Sequence, residues 1–442
     1  MKTKLLFAVL ITSLSLITAR SGSGTDGLVA HEWGTFTSVQ GADGIQFEWN
    51  PLSVSELPRF VYNRMRPEGD VTADQLAVLS LKGRLQARQR METPVIYFYS
   101  DRERTLDVQV DFPGGTITEW YPQIAPTRAT TPTPASGPPS NAGAPTPSPS
   151  HIEWEKIRVF PRTASAALSS LMPQDPSGSH YYAARETEAD FLQVATTGKK
   201  SKATKTETEK FLFYRGVAQF QAPLTVIQLG ENGEKVELKN NGAEELRHLF
   251  VYQVADGRAK VAFVAELAPG ATRAVALARR SAEPLSDTRS RLTTELVQAL
   301  TSEGLFRPEA EAMFKTWEDS WLTEPGLRVL YTLPRAWTER TLPLRIEPEP
   351  QDITRVMVGR AELITPAMEW ALMRQIVRYH DNDSKARPSI VAATRQLGLG
   401  RFLEPTARRL QTKLGYREFE LTTAELIQAA TQPSKSKGLA AR

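Results

Sequence analysis

Four turn dipeptides, Asn232-Gly233, Asn241-Gly242, Asp256-Gly257 and Pro269-Gly270, cut the chain between Leu224 and Leu277 into short pieces. Gly and Asn supply the positive φ that tight hairpins need, and the runs between them are β-branched or aromatic. A stretch interrupted this often has no room for a long helix, so five short strands are expected: 224 to 229, 235 to 239, 246 to 254, 260 to 266 and 272 to 277. Repeated turns between short strands predict a β-sandwich over residues 224–283.

The same style extends toward the N-terminus. Val95 to Ser100, Leu106 to Phe112 and Gly115 to Tyr121 are strand-like runs separated by Asp-Arg-Glu-Arg and Pro-Gly-Gly, and Ile152 to Phe160 and Lys210 to Tyr214 continue them. Between residues 125 and 150, eight of 26 positions are Pro and nine are Ser or Thr. That composition buries too little apolar surface to offset its ordering entropy, which predicts a disordered insertion within one β-rich domain spanning 20–223. Thr196 to Lys210 reads as a long exposed loop. After Pro284 the period changes: Leu292, Leu296 and Leu300 recur every four residues, as do Met313, Trp317 and Trp321, with Gly304 between them, so a helical hairpin is expected. Strands return at 328 to 333, 341 to 346 and 355 to 364. Thr365-Pro366 then opens a helix reaching about Tyr379, and a capping box at Thr422 and Glu425 opens the last helix. The fold class is therefore mixed and β-rich: β-sandwich-like modules followed by an α+β and helical region over 284–431, with a loose tail at 432–442. At 442 residues the chain exceeds a single core, which rarely grows past roughly 250 to 300 residues.

Met1 to Lys4 is a short basic segment, Leu5 to Ile17 an unbroken apolar and hydroxyl run, and Thr18-Ala19 a small-residue cleavage position. Residues 1–19 read as a secretory signal peptide. A thirteen-residue apolar helix reaches only about 20 Å, short of the roughly 30 Å hydrocarbon core, so no transmembrane segment is expected once it is removed. The chain has no Cys, which excludes a lipoprotein, disulfides, thiol nucleophiles and thiolate metal sites. The expected location is the periplasm or the extracellular space.

The formal charge is +4, and removing Lys2 and Lys4 with the signal segment leaves +2. No nucleic-acid partner is expected from so slight an excess. The excess is local: from Ser384 to Arg442 eleven Lys or Arg stand against four Glu. Those charges read as solvated helix faces, with docking on an anionic surface or partner as the rival reading.

Leu238-Lys-Asn-Asn-Gly242 followed by Leu267-Ala-Pro-Gly270 resembles the pattern of bacterial immunoglobulin-like β-sandwich modules, a resemblance that covers residues 224–277 and implies scaffolding or adhesion without catalytic residues. His31-Glu-Trp-Gly-Thr-Phe-Thr37 is similar to the N-terminus of exported bacterial proteins of uncharacterised function, which implies no activity.

The chemical leads are sparse. His31-Glu32 is not a zinc-binding HExxH, because Thr35 stands where the second His would be. On a strand His31, Trp33 and Thr35 share one face, and Glu32 and Phe36 the other. Five of the eight Trp follow a Glu, at Trp33, Trp49, Trp120, Trp154 and Trp370. Trp turned inward makes core. Trp33 and Trp120 turned outward would stack on a sugar, with Glu32 and Glu119 as the carboxylate pair that glycoside hydrolysis uses and His31 as an acid/base group. His180, Tyr181 and Arg185 form a polar-aromatic cluster that either lines a ligand site or packs a strand edge. His380-Asp381-Asn382-Asp383 lacks the Gly and closing Glu of a calcium loop and reads as a helix end. No metal and no cofactor is expected. Two functional readings follow: an exported, envelope-associated binding or scaffold protein with an envelope polymer, extracellular polymer or protein as partner, and a secreted hydrolase acting on such a polymer near the N-terminal strand. Whether the chain is an enzyme is open at this level, as is its oligomeric state.

Overall fold

The computed structural model describes residues 25–50, 57–64, 86–124, 149–162, 165–176, 178–197, 204–230, 234–277, 282–382, 384–415 and 419–431. The expected signal peptide at 1–19, nearly all of the expected linker at 125–150 and the tail at 432–442 lie outside the described residues.

The fold is mixed and β-rich, with its helices gathered in the last third. Eighteen strands are present among the described residues: β1 (Thr25–Gly41), β2 (Tyr62–Asn63), β3 (Gln89–Ser100), β4 (Arg104–Phe112), β5 (Gly115–Tyr121), β6 (Ser150–Phe160), β7 (Phe191–Thr197), β8 (Thr204–Glu209), β9 (Leu212–Ala218), β10 (Leu224–Leu229), β11 (Lys235–Asn240), β12 (Leu246–Ala255), β13 (Arg258–Leu267), β14 (Thr272–Ala276), β15 (Glu283–Pro284), β16 (Gly326–Leu333), β17 (Leu344–Glu347) and β18 (Pro350–Ile364). The main helices are α1 (Leu285–Ser302), α2 (Arg307–Glu318), α3 (Arg335–Thr341), α4 (Pro366–Asp381), α5 (Arg387–Gln396), α6 (Leu403–Leu414) and α7 (Phe419–Thr431).

Ten strands make one sheet in the order β15-β13-β12-β16-β18-β1-β3-β9-β5-β2. Its centre is a parallel pair, β1 with β18, and the other neighbours run antiparallel. Two smaller sheets, β17-β4-β6-β7-β8 and β10-β11-β14, cover one face. Leu106, Val108, Trp154 and Val236 from those sheets meet Phe36, Ile96, Tyr214 and Met357 from the large one in a single buried cluster. The opposite face is covered by α1 and α2, whose Leu292, Leu296, Met313 and Trp317 pack on Trp33, Tyr97, Phe213 and Val358. A third core joins α4 to α7 with Val39, Trp49 and Ile364. The chain is thus a sheet-sheet-helix stack with a helical cap.

The five strands expected between 224 and 277 are present, yet they do not close into a module of their own. β10, β11 and β14 form the small sheet, whereas β12 and β13 join the large sheet, where β12 pairs with β16. The expected insertion at 125–150 falls between β5 and β6, and strands from both sides of it pair in both sheets, β5 with β9 and β4 with β6. Three local expectations are corrected. The run at 341 to 346 is strand only from Leu344; ahead of it Pro334 starts α3, which an Arg335–Glu339 ion pair of 2.8 Å supports. The last helix opens at Phe419 rather than at Thr422, whose hydroxyl instead meets His380 Nδ1 at 3.1 Å. Thr204–Glu209, expected as loop, is a strand paired with β7.

With both faces covered, alternation along a strand cannot send polar residues to water. They pair across strands instead. Glu32 lies opposite Arg355 in the β1–β18 register and accepts its Nε at 2.6 Å, with Tyr214 Oη donating to the other carboxylate oxygen at 2.5 Å. Glu362 lies opposite Arg328 on β16 and accepts its Nε at 3.1 Å. Glu119 lies opposite Arg215 on β9 and accepts its Nη2 at 3.1 Å. A one-residue slip at any of these seams would move a charge to the opposite face and strand it without its partner.

Glu32 is fully buried, so Glu32→Ala leaves Arg355 buried and unpaired and should cost about 3–5 kcal/mol in urea unfolding. Replacing both partners, with Glu32→Leu and Arg355→Met, should cost much less, because no isolated charge remains.

Candidate functional site

The helix-covered face of the large sheet carries a row of charges. Residues two apart on a strand share a face, so Glu119, Arg215, Arg90, Glu92, Arg360, Glu362 and Arg328 all project to the side where Tyr121, Phe213, Val358 and Leu330 pack. Arg90 Nε stands 2.9 Å from Glu92 Oε1. Glu92 also accepts Thr37 Oγ1 at 2.9 Å and Arg401 Nη1 at 3.0 Å. Arg360 Nη2 donates to Glu362 and to Glu324, each at 2.8 Å. Among the described residues five arginines (90, 215, 328, 360, 401) thus face four glutamates (92, 119, 324, 362) in this row.

Above this row lies a cleft of about 1330 Å³. Its floor includes Arg90 and Glu92 from β3. One wall is α2 with the π turn that follows it, Asp319–Thr323, and contributes Trp317 and Ser320; the other comes from α5, α7 and the 3-10 turn Gly400–Phe402, and contributes Arg401. His180 and Tyr181 close it from the 3-10 turn His180–Arg185, where the Ser179 side chain accepts Tyr181 N. That turn replaces the strand edge that the rival reading of these residues supposed. A π turn carries an extra residue in the helix, a device frequent at functional sites, and here it places Asp319, Ser320 and Thr323 at the cleft.

The electrostatics of the floor follow from burial. Burial pulls the Arg90 guanidinium down, Glu92 resists, and the nearby cations Arg215 and Arg401 add to the fall. Burial pushes the Glu92 carboxyl up, but Arg90, Arg401 and the Thr37 hydroxyl more than reverse it and hold the group down at about 2. Several donors in this region are buried and carry no hydrogen-bond partner: Arg401 Nε and Nη2, Arg215 Nη1, Arg360 Nη1 and Trp317 Nε1. Such groups cost free energy until something accepts from them.

The residues singled out from the sequence scatter across the molecule. His180 and Tyr181 reach the cleft. Arg185 is paired with Glu209 at 2.6 Å, beside a small aromatic crevice that Tyr181 shares. His31 lies under α2, its Nδ1 2.8 Å from Glu309 Oε2, while Tyr99 donates to Glu309 Oε1 at 2.6 Å. Glu32 is on the opposite face, beside Tyr214. Glu119 shares the helix-covered face, and β1 and β5 are separated by β3 and β9, three strand spacings or roughly 14 Å. Two carboxylates on opposite faces at that separation cannot flank one glycosidic bond, for which about 5–9.5 Å is needed. Trp33 and Trp120 are buried, as are Trp49 and Trp154. None offers an outward stacking face. Trp370 is 67% exposed, but it stands on α4 away from these carboxylates, next to a Glu369 held by Arg409 and Lys413.

The basic C-terminal segment stays at the surface, where many of its described cations are paired within the fold. Arg409 pairs with Asp43, Arg387 with Glu425, and Arg401 with Glu92, while Arg395 donates to the carbonyls of Ala429 and Ala430 at the end of α7. Arg90, Arg401 and Trp317 were missed as candidates because each sits in an unremarkable local pattern. One legible trace was Arg90-Met91-Glu92, two charges on one side of a strand that continues as the largely apolar and aromatic Val95–Tyr99.

No family model matches this chain, and no curated protein matches it in sequence. Among solved structures it is similar to the yeast delta-COP-I mu-homology domain, at 7% identity over 77% of this chain and 96% of that chain, with a TM-score of 0.24. The same domain complexed with the Dsl1 WxWxV peptide matches at 7% identity over the same shares, with a TM-score of 0.23. Likenesses this slight carry no argument about fold or activity. No helix among the described residues is long and apolar enough to cross a membrane.

Because the folded Glu92 holds its proton more weakly than the ordinary carboxyl at 4.5, its contribution to stability is complete above pH 4.5 and is lost as pH falls through about 2. Urea midpoints measured from pH 5 to pH 2 should fall, and in Glu92→Gln this part of the fall should vanish.

Proposed function

We propose that the chain is an exported, envelope-associated binding protein that takes part of an envelope or extracellular polymer into the cleft between the large sheet and the C-terminal helices. The observation that carries this reading is the cleft itself. Its volume of about 1330 Å³ exceeds the usual 300–1,000 Å³ of small-molecule sites, and charged and polar side chains line both its floor and its walls. Export rests on the basic, apolar and small-residue succession of residues 1–19. The hydrolase reading draws no support from the carboxylates it relied on, because Glu32 and Glu119 face opposite sides of the sheet, each with its own arginine.

The test is thermal unfolding of the chain from Arg20 to Arg442 against envelope fragments and oligosaccharides. A ligand of the native state raises the midpoint, the stabilisation being about 2.7 kcal/mol at a hundredfold excess over Kd. Gln428 is exposed at the cleft rim, so Gln428→Trp should block entry and abolish the shift while leaving the unliganded midpoint in place. No shift with any fragment, or a shift that survives Gln428→Trp, would overturn the reading.

A further inference from the structure

We infer that one face of the helical cap docks on an anionic lipid bilayer, with Trp370 and Ile45 entering the headgroup layer and Arg374 and Arg378 meeting its phosphates. This gives the envelope association proposed above a physical contact. It is independent of the cleft, whose lining includes none of these residues.

The argument starts from two apolar side chains left in water, Trp370 at 67% exposure and Ile45 at 59%. They are remote in sequence, and one guanidinium ties them together. Arg409 Nε donates to Glu369, the neighbour of Trp370, at 2.8 Å, and Arg409 Nη2 donates to Asp43 at 2.6 Å. The other oxygen of Asp43 accepts the backbone N–H of Ile45 at 3.2 Å. The bridge thus gathers α4, α6 and the turn after β1, and brings the two exposed residues into one patch.

The charges beside that patch differ in what they leave open. Asp43 and Glu369 are taken by Arg409, and Glu369 also accepts Lys413 Nζ at 2.9 Å. On α4, positions 370, 374 and 378 recur every four residues and share a face. Arg374 and Arg378 are exposed, and among the described residues neither has a carboxylate partner; Arg378 Nη1 donates to the side chain of Gln375 at 3.3 Å. Asp381, at the end of α4, is the carboxylate left on that face. The two guanidiniums outnumber it, and the chain that follows has the same sign, with eleven Lys or Arg against four Glu from Ser384 to Arg442.

An indole with an aliphatic neighbour, and guanidiniums one and two turns further along the helix, match the layered chemistry of a membrane surface. The ring settles at headgroup level and the guanidiniums pair with phosphate oxygens. A sugar-stacking Trp needs neighbours set to hydroxyls, whereas the carboxylate beside Trp370 is committed to two cations.

The experiment is co-sedimentation of the chain from Arg20 to Arg442, which lacks the apolar run at 5–17 that would itself partition into lipid. The vesicles are phosphatidylglycerol and phosphatidylcholine in equal parts, or phosphatidylcholine alone. Binding to the mixed vesicles should be about tenfold tighter, and should weaken as salt rises from low to physiological. Trp370→Ala, and Arg374→Glu combined with Arg378→Glu, should each weaken it about fivefold. These side chains are exposed, so the thermal midpoint of each variant should stay in place. Glycerol phosphate should not compete, because a single soluble headgroup offers the indole no layer to enter. Equal binding to both kinds of vesicle, or binding indifferent to the Trp370 and Arg374/Arg378 changes, would overturn the inference. Displacement by glycerol phosphate would replace the bilayer by free phosphate, and no sedimentation with either vesicle would leave the patch to an acidic protein partner. Gln428→Trp at the cleft rim should leave vesicle binding unchanged, so failure here and failure of cleft binding are read separately.

Discussion

Glu32 and Arg355 meet at 2.6 Å across the central parallel seam of the large sheet, joining strands more than three hundred residues apart in sequence. The position of everything else follows from that seam. β3, β9 and β5 extend from β1, and β16, β12 and β13 extend from β18, so the register of the centre propagates to both edges. Side chains alternate with a period of two, and an error of one residue at the seam would put Trp33 and Phe36 in each other's layers. The buried ion pair makes that error costly, since each charge would face apolar side chains without its partner. Gly359 adds a steric condition next to it: a Cβ there would lie 2.3 Å from the Tyr331 ring on β16.

A sheet that is dry on both faces explains the chain's unusual stock of buried charge. In a sheet with one wet face, Glu32, Arg215 or Arg360 would simply be the polar half of an alternation. Here the smaller sheets cover one side and α1 and α2 the other, so each carboxylate needs a guanidinium within reach. Three of these pairs lie directly opposite each other in register, which lets one set of residues satisfy burial and specify alignment together. The row around Arg90 and Arg401 departs from this economy. Among the described residues its five arginines face four glutamates, and part of it, Arg90, Glu92, Glu324 and Arg401, lines the cleft.

The cleft draws on segments that are remote in sequence: β3, the turn at His180, the end of α2, and the helical cap. Its chemistry depends on Arg401, a residue of a three-residue 3-10 turn, reaching Glu92 on the sheet. The third core holds that turn in place by packing Phe402 and Leu403 with Trp49 and Ile364. The guanidiniums of Arg401 and Arg360 lie 5.1 and 5.6 Å from the Phe402 ring, which limits their freedom further. The helical cap therefore does more than cover the sheet ends, since it brings a cation from the wall of the cleft to Glu92 on its floor.

The sequence by itself determined the local elements. Turn dipeptides bounded the strands between Leu224 and Leu277, four-residue periods marked α1 and α2, and Thr365-Pro366 marked the start of α4, because each signal is a short-range preference of φ, capping or amphipathic spacing. It also predicted which face of β1 carries His31 and which carries Glu32. Only the tertiary structure decided what those faces meet. Sheet membership assigned β12 to the large sheet rather than to a module with β10, and covering both faces converted Glu32 and Glu119 from candidate acids into partners of Arg355 and Arg215. Arg90, Glu92, Trp317 and Arg401 became a site through contacts between residues hundreds of positions apart, which no local pattern encodes.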